Sequence, residues 1–269
     1  MEQGVWQEIE QLYQKFRQLG ISEVVDYEKY YLYSLIAHST AIEGSTLTET
    51  EVQKLFDEGL TAKGKPLVHH LMNEDLKKAY ELAKEDAKCK EPINSAFLQK
   101  LNATLMRTTG SIHHVMGGSF DSSKGEFRLC SVTAGFGGRS YTNYQKVPAK
   151  VEKLCTLLQD KQKAARTFRE QYELSFNAHF NLATIHPWVD GNGRAARLLM
   201  NYIQFCYNLI PTKTFKEDRE AYISALQLSR EEEDNLPFLH FMVGQLKKSL
   251  SQEIKRFNAS QTRSFSFMF

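Results

Sequence analysis

Apolar positions recur at helical spacing along most of the chain. Over 21–42, Val24, Tyr27, Tyr31, Leu35 and Ile36 fall on one helical face, and Gly44 supplies a stop. Thr48 and Glu51, three apart, form the capping box of a second helix with the apolar face Val52, Leu55 and Phe56. Gly59 closes that helix ahead of a loop ending at Pro66. The same periodicity predicts helices over 67–88, 93–107, 149–160, 165–185, 195–209, 215–228 and 236–257. Their short loops make neighbours antiparallel, so the expected fold class is all-α, a helical bundle.

One segment breaks the rhythm. Residues 110–144 are rich in Gly, Ser and Thr and hold two β-favouring runs, 127–133 and 140–144. Gly135, Gly137 and Gly138 predict a turn back between them, hence a small β-hairpin over about 125–145. No linker, low-complexity tract or repeat interrupts the rest, which predicts one compact domain. Residues 260–269 mix Ser with three Phe and read as a frayed tail or a docked strand.

Composition removes several classes of function. The 34 basic and 32 acidic side chains leave a formal charge of +2 and are interleaved, so no broad basic field for nucleic acid is expected. No apolar run is long enough to span a bilayer, and the first residues lack the sections of a secretory signal. The expectation is a cytoplasmic chain with neither a nucleic-acid nor a membrane partner. Cys89, Cys130, Cys155 and Cys206 are scattered without a CxxC pair and read as buried structural thiols.

The stretch that carries chemistry is Ile185-His186-Pro187-Trp188-Val189-Asp190-Gly191-Asn192-Gly193-Arg194-Ala195-Ala196-Arg197. Pro187 disfavours helical geometry at His186 and stops the preceding helix there. Gly191-Asn192-Gly193 can turn successive N–H groups inward, directly before a new helix, which makes an anion cradle. That helix's positive end adds about half a unit charge, and Arg194 and Arg197 can reach the same side. Asp190 at its lip suits magnesium, which takes one or two carboxylates beside substrate phosphate oxygens. His186, as a neutral imidazole, can accept a proton from an incoming hydroxyl.

This stretch resembles the Fic-domain signature HPFx(D/E)GNGRxxR, with Trp188 in place of Phe. The resemblance implies an all-helical Fic fold carrying a small β-hairpin flap, with a catalytic core over 93–245 after an N-terminal helical region of 1–92 and before a C-terminal helix end and tail of 246–269. It implies transfer of AMP from ATP to a Ser, Thr or Tyr hydroxyl of a target protein, with release of pyrophosphate and with magnesium. His186 would be the base and Asp190 the magnesium ligand. Gly191, Asn192 and Gly193 would hold the α- and β-phosphates together with Arg194, in a turn continued by Ala195 and Ala196, and Arg197 would take the γ-phosphate. Val132, Thr133, Ala134 and Gly135, after Phe127 and Arg128, resemble the flap strand that lines the nucleotide and holds the target. Arg219, Tyr222, Ala225 and Leu226 resemble the helix whose Tyr packs near adenine, although Tyr222 equally fits the core of an amphipathic helix.

Ser39-Thr40-Ala41-Ile42-Glu43-Gly44 matches the family's inhibitory pattern (S/T)xxxE(G/N), on a helix over about 21–44. A Glu43 carboxylate paired with Arg197 would occupy the guanidinium that the γ-phosphate needs. Two other readings stay open: removal of AMP, with Glu43 aligning a water, and a toxin-like or regulatory interaction module. The adjacent pairs His69-His70 and His113-His114 lack carboxylates at ligand spacing and read as solvated or loop residues, and His179 as structural. Target choice is expected to rest on the flap, the N-terminal helices or, in a homo-oligomer, on oligomer surfaces.

Overall fold

The computed structural model describes residues 3–134 and 140–266, and the side chains of 4–134 and 140–260. Ten helices and one two-stranded sheet are found among them. Their order is α1 (Gln3–Gln18), α2 (Tyr27–Ile42), α3 (Glu49–Glu58), α4 (Leu67–Lys88), α5 (Ser95–Leu105), β1 (Ile112–Val115), β2 (Gly118–Asp121), α6 (Val147–Ala164), α7 (Phe168–Ile185), α8 (Asn192–Cys206), α9 (Arg219–Glu231) and α10 (Leu236–Ser266). The all-α expectation with a small hairpin is met, and the contacts divide the chain into two units, 1–35 with 212–269 and 36–211.

In the first unit α1 packs on α10. Trp6, Ile9, Tyr13 and Phe16 line the buried face of α1, at helical spacing. α1 lies outside the helices expected from the periodicity. The long α10 answers with Phe238, Met242, Leu246 and Leu250, all buried, and α9 adds Tyr222. A buried cation ties the unit together: Lys213 Nζ donates to Ser34 Oγ at 2.9 Å, lies 3.5 Å from Glu253 Oε1 and stands 4.6 Å above the Tyr31 ring. The buried ammonium therefore has both a counter-charge and a hydroxyl acceptor, which burial demands.

The second unit is built around α8. From Arg194 to Gln204 every side chain of α8 is buried, and its neighbours are α7, α4 and α5. A polar relay crosses this core. Tyr80 Oη donates to Asn201 Oδ1 at 2.6 Å, Asn201 Nδ2 to Gln204 Oε1 at 2.9 Å, and Gln204 Nε2 to Ser175 Oγ at 2.9 Å. Each buried donor in the relay meets an acceptor, and the relay fixes α8 against α4 and α7.

Several expectations change. The helix expected over 21–42 begins at Tyr27, after a single 3₁₀ turn at Ile21–Glu23, and leaves Val24 and Val25 exposed. The paired strands are β1 and β2, in the register Ile112 to Asp121 and Val115 to Gly118, instead of the runs 127–133 and 140–144. There the described residues hold one isolated bridge, Thr133 to Ser140, with Tyr141 N donating to Val132 O at 3.1 Å. Gly135, expected in the flap strand, and Gly137 and Gly138, expected in its turn, lie outside the described residues. His70 is buried, not solvated: Nε2 accepts from Ala62 N at 2.9 Å and Nδ1 lies 3.1 Å from Pro66 O, so the ring pins the loop that follows α3. Cys89 is exposed, Cys155 buried, and Cys130 and Cys206 lie between. Residues up to Ser266 continue α10, so the tail is helical to that point.

Candidate active site

Thr167 begins α7 with a capping box. Its side chain accepts from Glu170 N at 3.2 Å, and the Glu170 carboxylate accepts from Thr167 N at 2.9 Å. After the 18 residues of the helix Pro187 stops it, and His186 takes the left-handed conformation with φ 55°. The imidazole Nδ1 lies 3.3 Å from Ala183 O. In the tautomer that donates there, Nε2 keeps the lone pair that a base needs.

The turn after His186 is locked by its own residues. Asn192 Oδ1 accepts from Trp188 N at 3.0 Å and Asn192 Nδ2 donates to Trp188 O at 2.9 Å. Trp188 is fully buried, and its indole N–H donates to Gly125 O at 2.9 Å, a bond that Phe could not make. Gly191 caps α8 with φ 80°, and no side chain caps the helix there. A β-carbon on Gly191 would press on Leu105, Met106 and Asn102 of the α5 end, so glycine is required by both space and φ. The first N–H groups of α8 thus form an anion cradle with its dipole aligned.

Around this cradle stand the charged groups. Asp190 Oδ1 accepts from Gly191 N at 2.6 Å, and Oδ2 lies 3.6 Å from Arg194 Nη2, with the carboxylate side chain largely exposed. Arg194 is buried; Nη2 contacts Met106 Sδ at 3.3 Å, and Nε and Nη1 have no partner among the described residues. Burial pushes the guanidinium below its ordinary range, and the Asp190 and Glu43 carboxylates oppose that shift. Buried donors left unmade are expensive, so an anion in the cradle is the partner this arrangement suits. A single exposed carboxylate beside it also fits magnesium, which takes its remaining ligands from phosphate and water.

Arg197, one turn further on, is held by α2. Its Nε donates to Ser39 Oγ at 2.8 Å, and Nη2 donates to Ser39 O at 3.0 Å and to Glu43 Oε1 at 2.5 Å. Glu43 Oε1 also lies against Gly193, where a β-carbon would collide with it. The end of α2 that presents Ser39 and Glu43 is itself fixed, since Thr40 Oγ1 donates to Asn73 Oδ1 at 3.0 Å on α4. His179, buried on α7, is held well below the ordinary histidine range by burial and by the Arg197 charge. It stays neutral, consistent with a structural role.

Of the other expected site residues, Ala195 and Ala196 are buried in the first turn of α8, while Val132 and Ala134 lie in the described part of the bridge segment around Thr133. Tyr222 belongs to the first unit and is buried between Phe238 and Phe241, at ring-centroid distances of 6.2 and 5.9 Å. Three residues near the site were not singled out from the sequence for the roles they take. Asn102 on α5 is buried with neither side-chain polar atom partnered among the described residues. Arg128 donates to three main-chain carbonyls, and Tyr141 stacks on His186.

Residues 92–204, which hold the His186-to-Arg197 turn and the bridge segment but not Ser39, Glu43 or Tyr222, match the Fic/DOC family. That stretch of the chain is similar to Fic domains. Two similar curated proteins are called "Protein adenylyltransferase Fic": that of Drosophila persimilis is 29% identical over 224 residues, 80% of this chain and 39% of the relative. That of Drosophila melanogaster is 28% identical, over 80% of this chain and 40% of the relative. This chain thus spans about two-fifths of the length of these relatives. Among solved structures, a Fic-domain-containing signalling protein from Bacteroides thetaiotaomicron is 26% identical with a TM-score of 0.77, covering 94% of this chain and 98% of that one. Fic-1 of Caenorhabditis elegans is 21% identical with a TM-score of 0.72, covering 95% of this chain and 72% of that one, and has a similar fold.

Proposed function

We propose that this chain transfers AMP from ATP to a side-chain hydroxyl of a target protein and is restrained by Glu43. The observation that carries the reading is the folded His186-to-Arg197 turn: a histidine with one nitrogen at a main-chain carbonyl, then an uncapped helix N-terminus with Asp190, Arg194 and Arg197 beside it. The names of the similar proteins support it.

In this reading His186 Nε2 takes the proton of the acceptor hydroxyl as its oxygen bonds to the α-phosphorus. The bond from that phosphorus to the bridging oxygen breaks, and pyrophosphate leaves. Gly191, Asn192, Gly193 and Arg194 hold the α- and β-phosphates through main-chain N–H groups and a guanidinium already in place, so charge developing in the transition state meets preorganised donors. Asp190 would hold magnesium, whose charge offsets that of the triphosphate. Arg197 would hold the γ-phosphate once released from Glu43. Until then the carboxylate takes one of its N–H groups and places negative charge beside Gly193, where phosphate oxygens must come. The segment carrying Val132, Thr133 and Ala134 would align the target by main-chain pairing, which tolerates varied sequences.

The test is His186→Ala. It abolishes AMP incorporation, read by intact-protein mass spectrometry, and leaves ATP binding by calorimetry unchanged. AMP transfer that survives the substitution removes His186 as the base.

A further inference from the structure

We infer that Tyr141, together with Arg128, forms a clamp that orients the His186 imidazole, with Tyr141 as a positioning residue for the proton transfer. The inference rests on the reading of His186 as the base. The contact of Nδ1 with Ala183 O, at 3.3 Å, is longer than the usual 2.9–3.0 Å of an N–H···O bond, about a third of an ångström beyond it. The outer torsion of histidine is broad and roughly two-fold, so so long a bond defines the ring plane weakly. The Tyr141 ring adds a direct restraint on that plane. It lies face to face with the imidazole at a centroid distance of 3.8 Å and an interplanar angle of 18°. A stacked ring blocks rotation out of the plane and covers one face only. The in-plane lone pair of Nε2 stays on the edge, where a hydroxyl has to approach.

Tyr141 is in turn held in place. Its N–H donates to Val132 O at 3.1 Å, and Thr133 and Ser140 form the bridge beside it. Arg128, fully buried, then joins both arms to the base. Nη1 donates to Cys130 O at 2.6 Å, Nη2 to Thr142 O at 2.5 Å and Nε to His186 O at 2.8 Å. One guanidinium therefore fixes the residue after Tyr141 and the backbone of the base itself. A planar fork with five N–H donors can do this, and lysine cannot. The ring and the backbone of His186 are thus set by the same segment on which a target strand would pair. A misplacement of an ångström at a reacting group is enough to slow the step by orders of magnitude.

The experiment uses the full chain with Glu43→Gly as the parent. Adding Tyr141→Ala lowers kcat for AMP incorporation by about tenfold to a hundredfold while KM for ATP moves by no more than about twofold, since the nucleotide cradle is untouched. Adding Tyr141→Phe instead restores most of kcat, because stacking needs the ring and not the hydroxyl. An unchanged kcat in Tyr141→Ala, or a Phe variant as slow as Ala, overturns the clamp. If the Glu43→Gly parent itself transfers no AMP, the proposed reaction fails, and the clamp is judged by NMR. The His186 ring protons are then shifted upfield by the Tyr141 ring current and move downfield in Tyr141→Ala; identical shifts in both proteins overturn it.

Discussion

At Gly193 a β-carbon would meet the Glu43 carboxylate that holds Arg197, so the absence of a side chain there leaves room for a group that lies far away in the chain. Contacts of this kind separate what single residues disclose from what they hide. His186, Asp190, Gly191 and Arg197 were readable because their chemistry is written in a dozen consecutive residues. Asn102, Arg128 and Tyr141 were not: Arg128 and Tyr141 meet His186 dozens of positions away, and a lone polar or aromatic residue has no spacing to betray it. His179 makes a prediction at this scale. Its folded pKa is depressed by burial and by Arg197, whereas the unfolded chain protonates it at an ordinary value of about 6.5. The unfolded state binds more protons below that point, so this contribution is fully present above about pH 6.5 and is lost as the pH falls toward the depressed value. Urea midpoints should fall on acidification, and the slope should flatten in His179→Gln; equal slopes would assign the fall to other groups.

Helices were the most legible elements. The periodicity placed α4 over the span at which it is found, Leu67–Lys88, and the Thr48–Glu51 capping box forms as expected. The strands were misplaced for a physical reason. Ile112–Val115 reads Ile-His-His-Val, without the apolar alternation that marks a half-buried strand. The β-favouring residues after Phe127 spend main-chain acceptors on Arg128 instead of on a ladder. Element stability bears on the site through α7, which begins at a capping box and ends beside His186. Thr167→Ala removes the acceptor for Glu170 N and should lower stability by about 1 kcal/mol, read by urea denaturation. A change within error would mean that Glu170 and water satisfy the helix start alone.

Across the whole chain, near-neutral composition is compatible with strong local fields. Nothing in a formal charge of +2 signals that two buried arginines and a helix N-terminus converge in one turn, or that one acid is committed to one of those arginines. Among the described residues no helix is long and apolar enough to cross a membrane. Ser39 on α2 and Glu43 just past its end lie more than 150 positions from Arg197 on α8, yet hydrogen bonds join them. That contact is the centre of the proposed regulation: the cradle is complete, and one of its cations is held by the chain's own carboxylate. The most direct measurement is the rate of labelled-AMP incorporation from ATP by Glu43→Gly beside the unmodified chain, at equal protein and nucleotide concentrations. The account predicts a rate at least about tenfold higher in Glu43→Gly, as expected when a charge-assisted bond worth about 1.5–3 kcal/mol no longer competes for Arg197. Equal rates in the two proteins would contradict it.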